Sequence, residues 1–115
     1  KRCGADVDYK IPDRVEDGYG INEHLIEQAA EDGIDTIITC DNGIAASAQI
    51  AYGNSLGLTI VVTDHHDIPF QKENDEITYL LPPAAAVINP KQKDCSYPFK
   101  SICGAVVVYK LFRCL

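Results

Sequence analysis

Two short groups of ionisable residues directly follow apolar, β-branched segments of the chain. Asp41 comes after residues 36–39, and the run Asp-His-His-Asp at residues 64–67 comes after residues 59–63. Carboxylate and imidazole groups together suit a divalent ion such as Mn²⁺. Because burying such a run of ionisable side chains unpaired would cost several kcal/mol, the pattern predicts a metal centre at these two groups.

Each group also has a purely structural interpretation. Asn42 and Gly43 form a turn sequence, so Asp41 could instead be the cap of the helix that follows. The run at residues 64–67 could equally be a solvated turn. Adjacent side chains on an extended chain point in opposite directions, so His65 and His66 are not expected to ligate one ion in the same way. One of them would then hold metal while the other meets substrate.

Neighbouring strands are needed to bring the two groups together, and the chain predicts them. Residues 36–39 form a β-branched run typical of a strand covered on both faces, and residues 59–63 form another such run. Between them, the alanine-rich residues 44–56 predict a helix that ends at Gly57. Ligands of open parallel sheets bind beyond the carboxyl ends of the strands. The predicted fold class is therefore α/β, a Rossmann-like parallel sheet with flanking helices.

Further elements are predicted on both sides of this βαβ unit. A short strand at residues 7–11 is closed by Pro12, and an amphipathic helix runs from its cap at Asn22 to Gly33. After a polar stretch at residues 71–76, three more segments follow. They are a strand at residues 85–88, a loop at residues 89–101 and an apolar helix at residues 103–115.

Two groups of basic residues are candidates for contact with phosphate. Arg14 follows the first predicted strand and could fork onto a phosphate, although an ion pair with Asp13, Glu16 or Asp17 explains it equally well. The loop at residues 89–101 either binds a single strand or is simply solvated. Its basic and aromatic side chains are Lys91, Lys93, Tyr97, Phe99 and Lys100.

Composition limits the class of protein. The chain has 115 residues, 46% of them hydrophobic, which is about one domain with a single core. Its five cysteines include no close CxxC pair, so a reducing cytoplasm is expected. No apolar run approaches the roughly 18 residues that span a bilayer, so no membrane association is expected. A net charge of −7 argues against a surface that coats nucleic acid, although bound cations would reverse the field locally.

An ordered set of short motifs runs along the chain from about residue 7 onward. In sequence order they are Ile11-Pro12-Asp13-Arg14, Gly18-Tyr19-Gly20, Thr39-Cys40-Asp41-Asn42-Gly43-Ile44, Asp64-His65-His66, Asn89-Pro90-Lys91, Asp94-Cys95 and Tyr97-Pro98-Phe99-Lys100. This order resembles the RecJ branch of the DHH phosphoesterases. The proline-arginine and Asn-Pro-Lys blocks distinguish it from the pyrophosphatases and oligoribonuclease-like members of the same superfamily.

The resemblance implies a two-metal phosphodiesterase, using Mn²⁺ or Mg²⁺, that removes nucleotides from the 5′ end of single-stranded DNA in repair and recombination. It implies that Asp41 bridges the two ions and that His65 binds metal. Asp64 would orient or ligate, and His66 would lie beside the scissile phosphate. Arg14, Lys91 and Lys100 are the further expected contacts to the substrate.

Two departures from the family pattern are visible. An Asp-x-Asp-Gly type motif is expected before Lys1 and a further metal-binding aspartate beyond Leu115, so residues 1–115 are expected to be one partial domain that is inactive alone. The family's glycine-rich block near the end has Val106 where glycine is expected. This substitution leaves open where the last helix starts and whether any backbone approaches closely there.

Two other functions compete with the exonuclease. The first is a DHH phosphatase or oligonucleotidase acting on pyrophosphate, cyclic dinucleotides or short RNA. The second is a non-catalytic, Rossmann-like interaction module whose acidity marks a protein-binding surface. The sequence contains no GxGxxG turn, which argues against a dinucleotide cofactor.

Overall fold

A three-stranded parallel sheet is the centre of the computed structural model, which describes residues 4–13 and 20–115. The strand order is β1-β2-β5, and a separate antiparallel hairpin is formed by β3 and β4. The elements are α1 (Glu23–Glu31), β1 (Thr36–Ile38), α2 (Ser47–Ser55), β2 (Thr59–Thr63), β3 (Phe70–Glu73), β4 (Glu76–Tyr79), β5 (Ala86–Ile88) and α3 (Gly104–Cys114).

The central strand, β2, sets the positions of both neighbours. Ile37 lies opposite Ile60 in the β1 pairing, and Val62 lies opposite Val87 in the β5 pairing. Backbone hydrogen bonds continue past the strand ends, where Asp41 N–H donates to the Thr63 carbonyl at 3.0 Å and Asp64 N–H to the Ile88 carbonyl at 3.0 Å. The parallel βαβ unit is therefore confirmed, and its main-chain pairing extends into the two ionisable groups.

The core lies where the first two helices meet the central strand. Alternate residues of β2, Ile60 and Val62, are fully buried together with Ile26 of α1 and Ile50 of α2. Helix α1 packs on α2, and α2 packs on β2. Period-two burial in the strand and one apolar stripe on the helix are what such packing requires, and together they hold the carboxyl end of β2 rigidly.

The helices agree with the sequence pattern except at one boundary. Asn22 caps α1 as predicted, because its side-chain oxygen accepts a hydrogen bond from Leu25 N–H at 2.9 Å. Helix α2 starts at Ser47 rather than at Ile44, after Ala46 as the cap residue. The alternative in which Asp41 caps this helix is therefore wrong, and Asp41 is available for another role.

Two strand predictions need correction. Residues 7–11 form no strand, and Tyr9 and Ile11 are 79% and 81% exposed; among the described residues this segment has no strand to pair with. Strand β1 is not covered on both faces, since Thr36 and Ile38 are exposed. Thr36 and Ile38 alternate with Ile37 and so share one face of the strand, and within the described residues that face is open.

The hairpin was missed because its loop looked like an unstructured polar stretch. Asn74 and Asp75 both have positive φ, 49° and 66°, between the ends of β3 and β4. Two central residues with positive φ match the right-handed twist of a hairpin, and Asn and Asp tolerate that conformation. An Asn-Asp pair flanked by alternating apolar residues was the available signal.

Helix α3 confirms the predicted last element in spite of its three consecutive valines. It starts at Gly104, with Val107 buried against the body of the molecule and contacts to β2. In the described part of the chain, no helix has the length and apolar character needed to cross a bilayer.

Candidate metal centre

Asp41 lies at the tip of β1 in a backbone conformation that few residues adopt. Its φ is 64°, in the left-handed region where Asp, Asn and Gly are the usual residues. The hydrogen bond from its N–H to the Thr63 carbonyl fixes it against the end of β2. Strain of this kind persists where the surroundings determine the conformation, and it is common at functional sites.

Two threonines hold the tips of β1 and β2 together. Thr39 Oγ1 donates to the Asn42 carbonyl at 2.7 Å and accepts from Thr63 N–H at 3.2 Å. Thr63 Oγ1 donates to the Thr39 carbonyl at 2.5 Å. A Cβ at Gly43, whose φ is 105°, would lie 3.1 Å from Thr39 Oγ1. The turn after Asp41 is thus closely packed, and sequence reasoning had not assigned the threonines this role.

Asp64 is a buried carboxylate that is surrounded by donors. Only 1% of the residue is exposed, and it accepts hydrogen bonds from the backbone N–H groups of Ile44 at 3.1 Å, His65 at 2.8 Å and His66 at 3.2 Å. Burial by itself raises the pKa of this carboxyl, but the bonds from Ile44, from the His66 ring and from the two backbone amides outweigh it, so the pKa is lowered. Asp64 is therefore held ionised.

The two histidine rings converge on the same centre. His65 Nε2 lies 2.7 Å from Asp41 Oδ1, and His66 Nδ1 lies 2.5 Å from Asp64 Oδ1. The ring centroids are 4.5 Å apart. The expectation that the two rings point in opposite directions is wrong, because Asp64 turns the chain by accepting from the two following amides and the backbone is no longer extended.

The resulting group of donors fits a divalent cation. One ligand atom from each of four residues, Asp41, Asp64, His65 and His66, lies within 4.8 Å of the others. Two carboxylates and two imidazoles form a ligand set suited to Mn²⁺. A bound ion would replace the present contacts between the carboxylates and the rings.

Gly104 brings the start of α3 directly against Asp41. A Cβ built at this glycine would lie 2.6 Å from Asp41 Cβ and 2.8 Å from Asp41 Oδ1. The close backbone approach that Val106 had left open therefore occurs at Gly104, while Val106 is 37% exposed. The sequence shows a glycine at position 104, but it does not show that this glycine lies against Asp41.

Of the three predicted phosphate contacts, the structure describes Lys91 and Lys100, and the two have different partners. Lys91 Nζ lies 3.0 Å from Asp67 Oδ1, next to the metal group in sequence. Lys100 Nζ donates to the carbonyls of Pro90 at 2.8 Å and Cys95 at 2.7 Å, so it ties its own loop together. Arg14 lies outside the described residues.

Asn89 is a site residue that the pattern of charges did not reveal. It is 2% exposed; its side-chain amide donates to the His66 carbonyl at 2.9 Å, and its oxygen accepts from Lys91 N–H at 2.9 Å. A buried amide that satisfies both a donor and an acceptor fixes the two segments relative to each other. The Asn-Pro-Lys motif, which follows β5, thus holds the histidine segment, His65 and His66, in place through Asn89.

The lowered pKa of Asp64 predicts acid sensitivity of the metal-free protein. A carboxyl whose pKa is lower in the folded than in the unfolded state stabilises the fold at pH values above its pKa in the unfolded state. For Asp64 that unfolded pKa is near the ordinary 3.8. That stabilisation is lost as the pH falls through the folded pKa. In a chelator, the free energy of unfolding in urea should therefore fall below about pH 4, and less steeply in Asp64→Asn. The prediction would be contradicted if the free energy of unfolding fell equally steeply with pH in the wild type, in Asp64→Asn and in the charge-matched control Asp75→Asn.

Comparison with known proteins gives consistent matches. A model of the DHH family, N-terminal domain, matches residues 1–114. The single-stranded-DNA-specific exonuclease RecJ of Escherichia coli is 40% identical over 111 residues, which is 96% of this chain and 18% of that protein. Its counterpart in Bacillus subtilis is 40% identical over 115 residues, 100% of this chain and 14% of that protein. The chain thus spans less than a fifth of the length of these relatives.

A solved structure has a similar fold. It is described as exonuclease RecJ bound to manganese, and it superposes with a TM-score of 0.69 at 27% identity. The match covers 97% of this chain and 27% of that one.

Proposed function

This chain belongs to the DHH family, and we propose that it forms part of a metal-dependent phosphodiesterase that removes nucleotides from the 5′ end of single-stranded DNA. The observation that carries the proposal is the convergence of four ligand atoms, from Asp41, Asp64, His65 and His66, within 4.8 Å. The similarity to RecJ proteins of two bacteria supports the substrate class. The solved relative bound to manganese supports the choice of ion.

Asp41 and His65 are the proposed principal metal ligands of this segment. Both side chains are partly accessible, with 56% and 30% of their surfaces exposed, so ion and substrate can reach them. When bound, Mn²⁺ or Mg²⁺ would lower the pKa of water and stabilise charge on phosphate oxygens. Residues outside this chain would complete a two-metal site, and the segment alone is proposed to be inactive.

Asp64 and His66 have a different proposed role. Asp64 is buried and its oxygens are already engaged by four donors, so it orients its neighbours and offers at most part of its carboxylate to an ion. By holding His66 Nδ1, it leaves Nε2 of the same ring, whose side chain is 58% exposed, directed away from the carboxylate. We assign this nitrogen to the scissile phosphate; because Nδ1 already donates to Asp64, Nε2 accepts a proton in the neutral ring and donates one only in the imidazolium.

Basic residues near the centre are proposed to hold the rest of the substrate. Lys91 is partly exposed and next to the histidine segment, so its ammonium can exchange Asp67 for a phosphate. Lys100 is proposed to act through the positive charge that it keeps while bound to two carbonyls. Arg14 is the third proposed phosphate contact, and the biological setting is cytoplasmic DNA repair and recombination.

The proposal is tested by digestion of labelled oligonucleotides with the full-length protein. We expect single-stranded DNA to be degraded in Mn²⁺ and left intact in a chelator, with a 5′ label released as the first product. Duplex DNA of the same sequence serves as the matched control and should resist digestion. Release of a 3′ label first, or hydrolysis of pyrophosphate or dinucleotides in place of long strands, would replace the proposed substrate with that of another DHH enzyme.

A further inference from the structure

The β3–β4 hairpin has two chemically different faces. In its register Phe70 lies opposite Tyr79 and Lys72 opposite Ile77, and because side chains alternate along a strand these four share one face. The other face carries Gln71 opposite Thr78 and Glu73 opposite Glu76. The hairpin therefore separates an aromatic and cationic face from a polar, acidic one.

The aromatic face is exposed although three of its four side chains are aromatic or aliphatic. Phe70, Ile77 and Tyr79 are 59%, 53% and 48% exposed, and the two rings make an edge-to-face contact with centroids 6.5 Å apart. Contiguous apolar surface of this kind on a soluble domain generally marks a binding site. The hairpin forms its own two-stranded sheet, separate from the parallel one.

A groove of about 460 Å³ is lined by side chains of this face and by two lysines from the loop at residues 89–101. The side chains of Phe70, Ile77 and Tyr79 border it together with those of Lys91 and Lys100. Asp67 also borders it, in the ion pair with Lys91. Two ammonium groups against one carboxylate leave the groove positive, in a chain whose overall charge is −7.

Asp67 and Lys91, two residues that line the groove, are tied to the histidines of the metal centre. Asp67 follows His66 in the sequence, and Asn89 links the His66 carbonyl to the Lys91 backbone by hydrogen bonds of 2.9 Å each. A strand whose terminal phosphate lies at the histidines can therefore pass its next nucleotides along the hairpin. Aromatic faces beside cations are what single-stranded nucleic acids require, since the bases stack and the phosphates pair.

We propose that the hairpin is a base-stacking subsite for single-stranded DNA, in which Phe70 and Tyr79 hold bases and Lys72 and Lys91 contact phosphates. This inference rests on the proposed function for its ligand and adds the element that grips the strand beyond the cleaved bond. Stacking is tolerant of sequence because every base has a π face. The subsite therefore contributes affinity for single-stranded DNA without selecting a particular base.

The test measures binding of a fluorescent oligothymidylate to the full-length protein by anisotropy in a chelator, so that no cleavage occurs. Replacing Phe70 and Tyr79 together with alanine should raise Kd about tenfold or more, since stacking on a single ring is worth about that much. Lys72→Gln should reduce the slope of log Kd against log salt by about 0.7. Crosslinking with a 4-thiothymidine oligonucleotide should label the wild-type hairpin.

Matched variants separate stacking from folding. Gln71→Ala with Thr78→Ala alters the adjacent cross-strand pair, on the opposite face, and should leave Kd unchanged. Phe70→Tyr with Tyr79→Phe keeps both rings and should retain binding. Unchanged Kd in the alanine pair, or an equal loss in both alanine pairs, would overturn the proposal. So would a change of oligomeric state without a change in Kd, which would assign the face to a protein partner.

The assay also separates this proposal from the proposed function. Loss of binding in the Phe70 and Tyr79 variant of a protein without Mn²⁺-dependent nuclease activity would support the subsite and refute the exonuclease. Normal nuclease activity together with unchanged binding in that variant would refute the subsite alone.

Discussion

Asp41→Asn is expected to lower the rate of Mn²⁺-dependent digestion of single-stranded DNA by the full-length protein about a thousandfold. The substitution removes the negative charge that holds the ion, and loss of metal-based stabilisation is worth several kcal/mol, with about 1.4 kcal/mol for each factor of ten. Asparagine tolerates the left-handed backbone found at this position, φ 64°. The fold should therefore persist, and calorimetry should show weakened Mn²⁺ binding.

Asp75→Asn is the matched control for this substitution. Asp75 also has a left-handed backbone, φ 66°, but it lies in the hairpin turn and outside the group of metal donors. The control removes the same charge in the same conformation and should leave turnover unchanged. Normal turnover in Asp41→Asn would end the assignment of Asp41 as a ligand.

Gly104→Ala is the second substitution with a large expected effect. No positive φ is involved, so the backbone conformation by itself would accept an alanine. Its Cβ would nevertheless meet Asp41 Cβ at 2.6 Å and Cγ at 2.8 Å, which forces Asp41 or the start of α3 to move. We expect Mn²⁺ affinity to fall about 10- to 100-fold, the range found when groups supporting a ligand are changed.

Gly53→Ala provides the comparison, because Gly53 is also a glycine within a helix. Its added Cβ would meet Cδ1 of Ile60 at 2.5 Å, the far end of a side chain that can rotate and that lies in the core. Stability is expected to change while Mn²⁺ affinity does not. Equal Mn²⁺ affinity in Gly104→Ala and the wild type, measured by calorimetry, would show that Asp41 can adjust without loss.

The position of the site could be predicted from the sequence because it depends on chain direction and pairing alone. Two β-branched runs joined by a helix must lie parallel, and their carboxyl ends then share an edge. That argument placed Asp41 near Asp64 and His65, as the structure has them. It needed only the pattern at residues 36–39 and 59–63.

Other features depended on contacts that the sequence pattern does not contain. The direction of the His66 ring follows from the turn made by Asp64, and the importance of Gly104 follows from the approach of α3 to Asp41. The strand expected at residues 7–11 had suitable β-branched and aromatic residues, but a strand also needs a partner. Local composition can indicate the strand; only the assembled sheet decides whether its backbone is paired.

The hydrogen bonds between Thr39 and Thr63 have a thermodynamic consequence for the ion. The donors come from two segments of chain separated by a helix, and they face one another only while those threonines hold the strand tips in register. An unfolded chain scatters them, so cation capture and acquisition of the native sheet are linked equilibria. A cation held by these donors would act as a reversible crosslink between the ends of β1 and β2, the part of the molecule on which cleavage would depend.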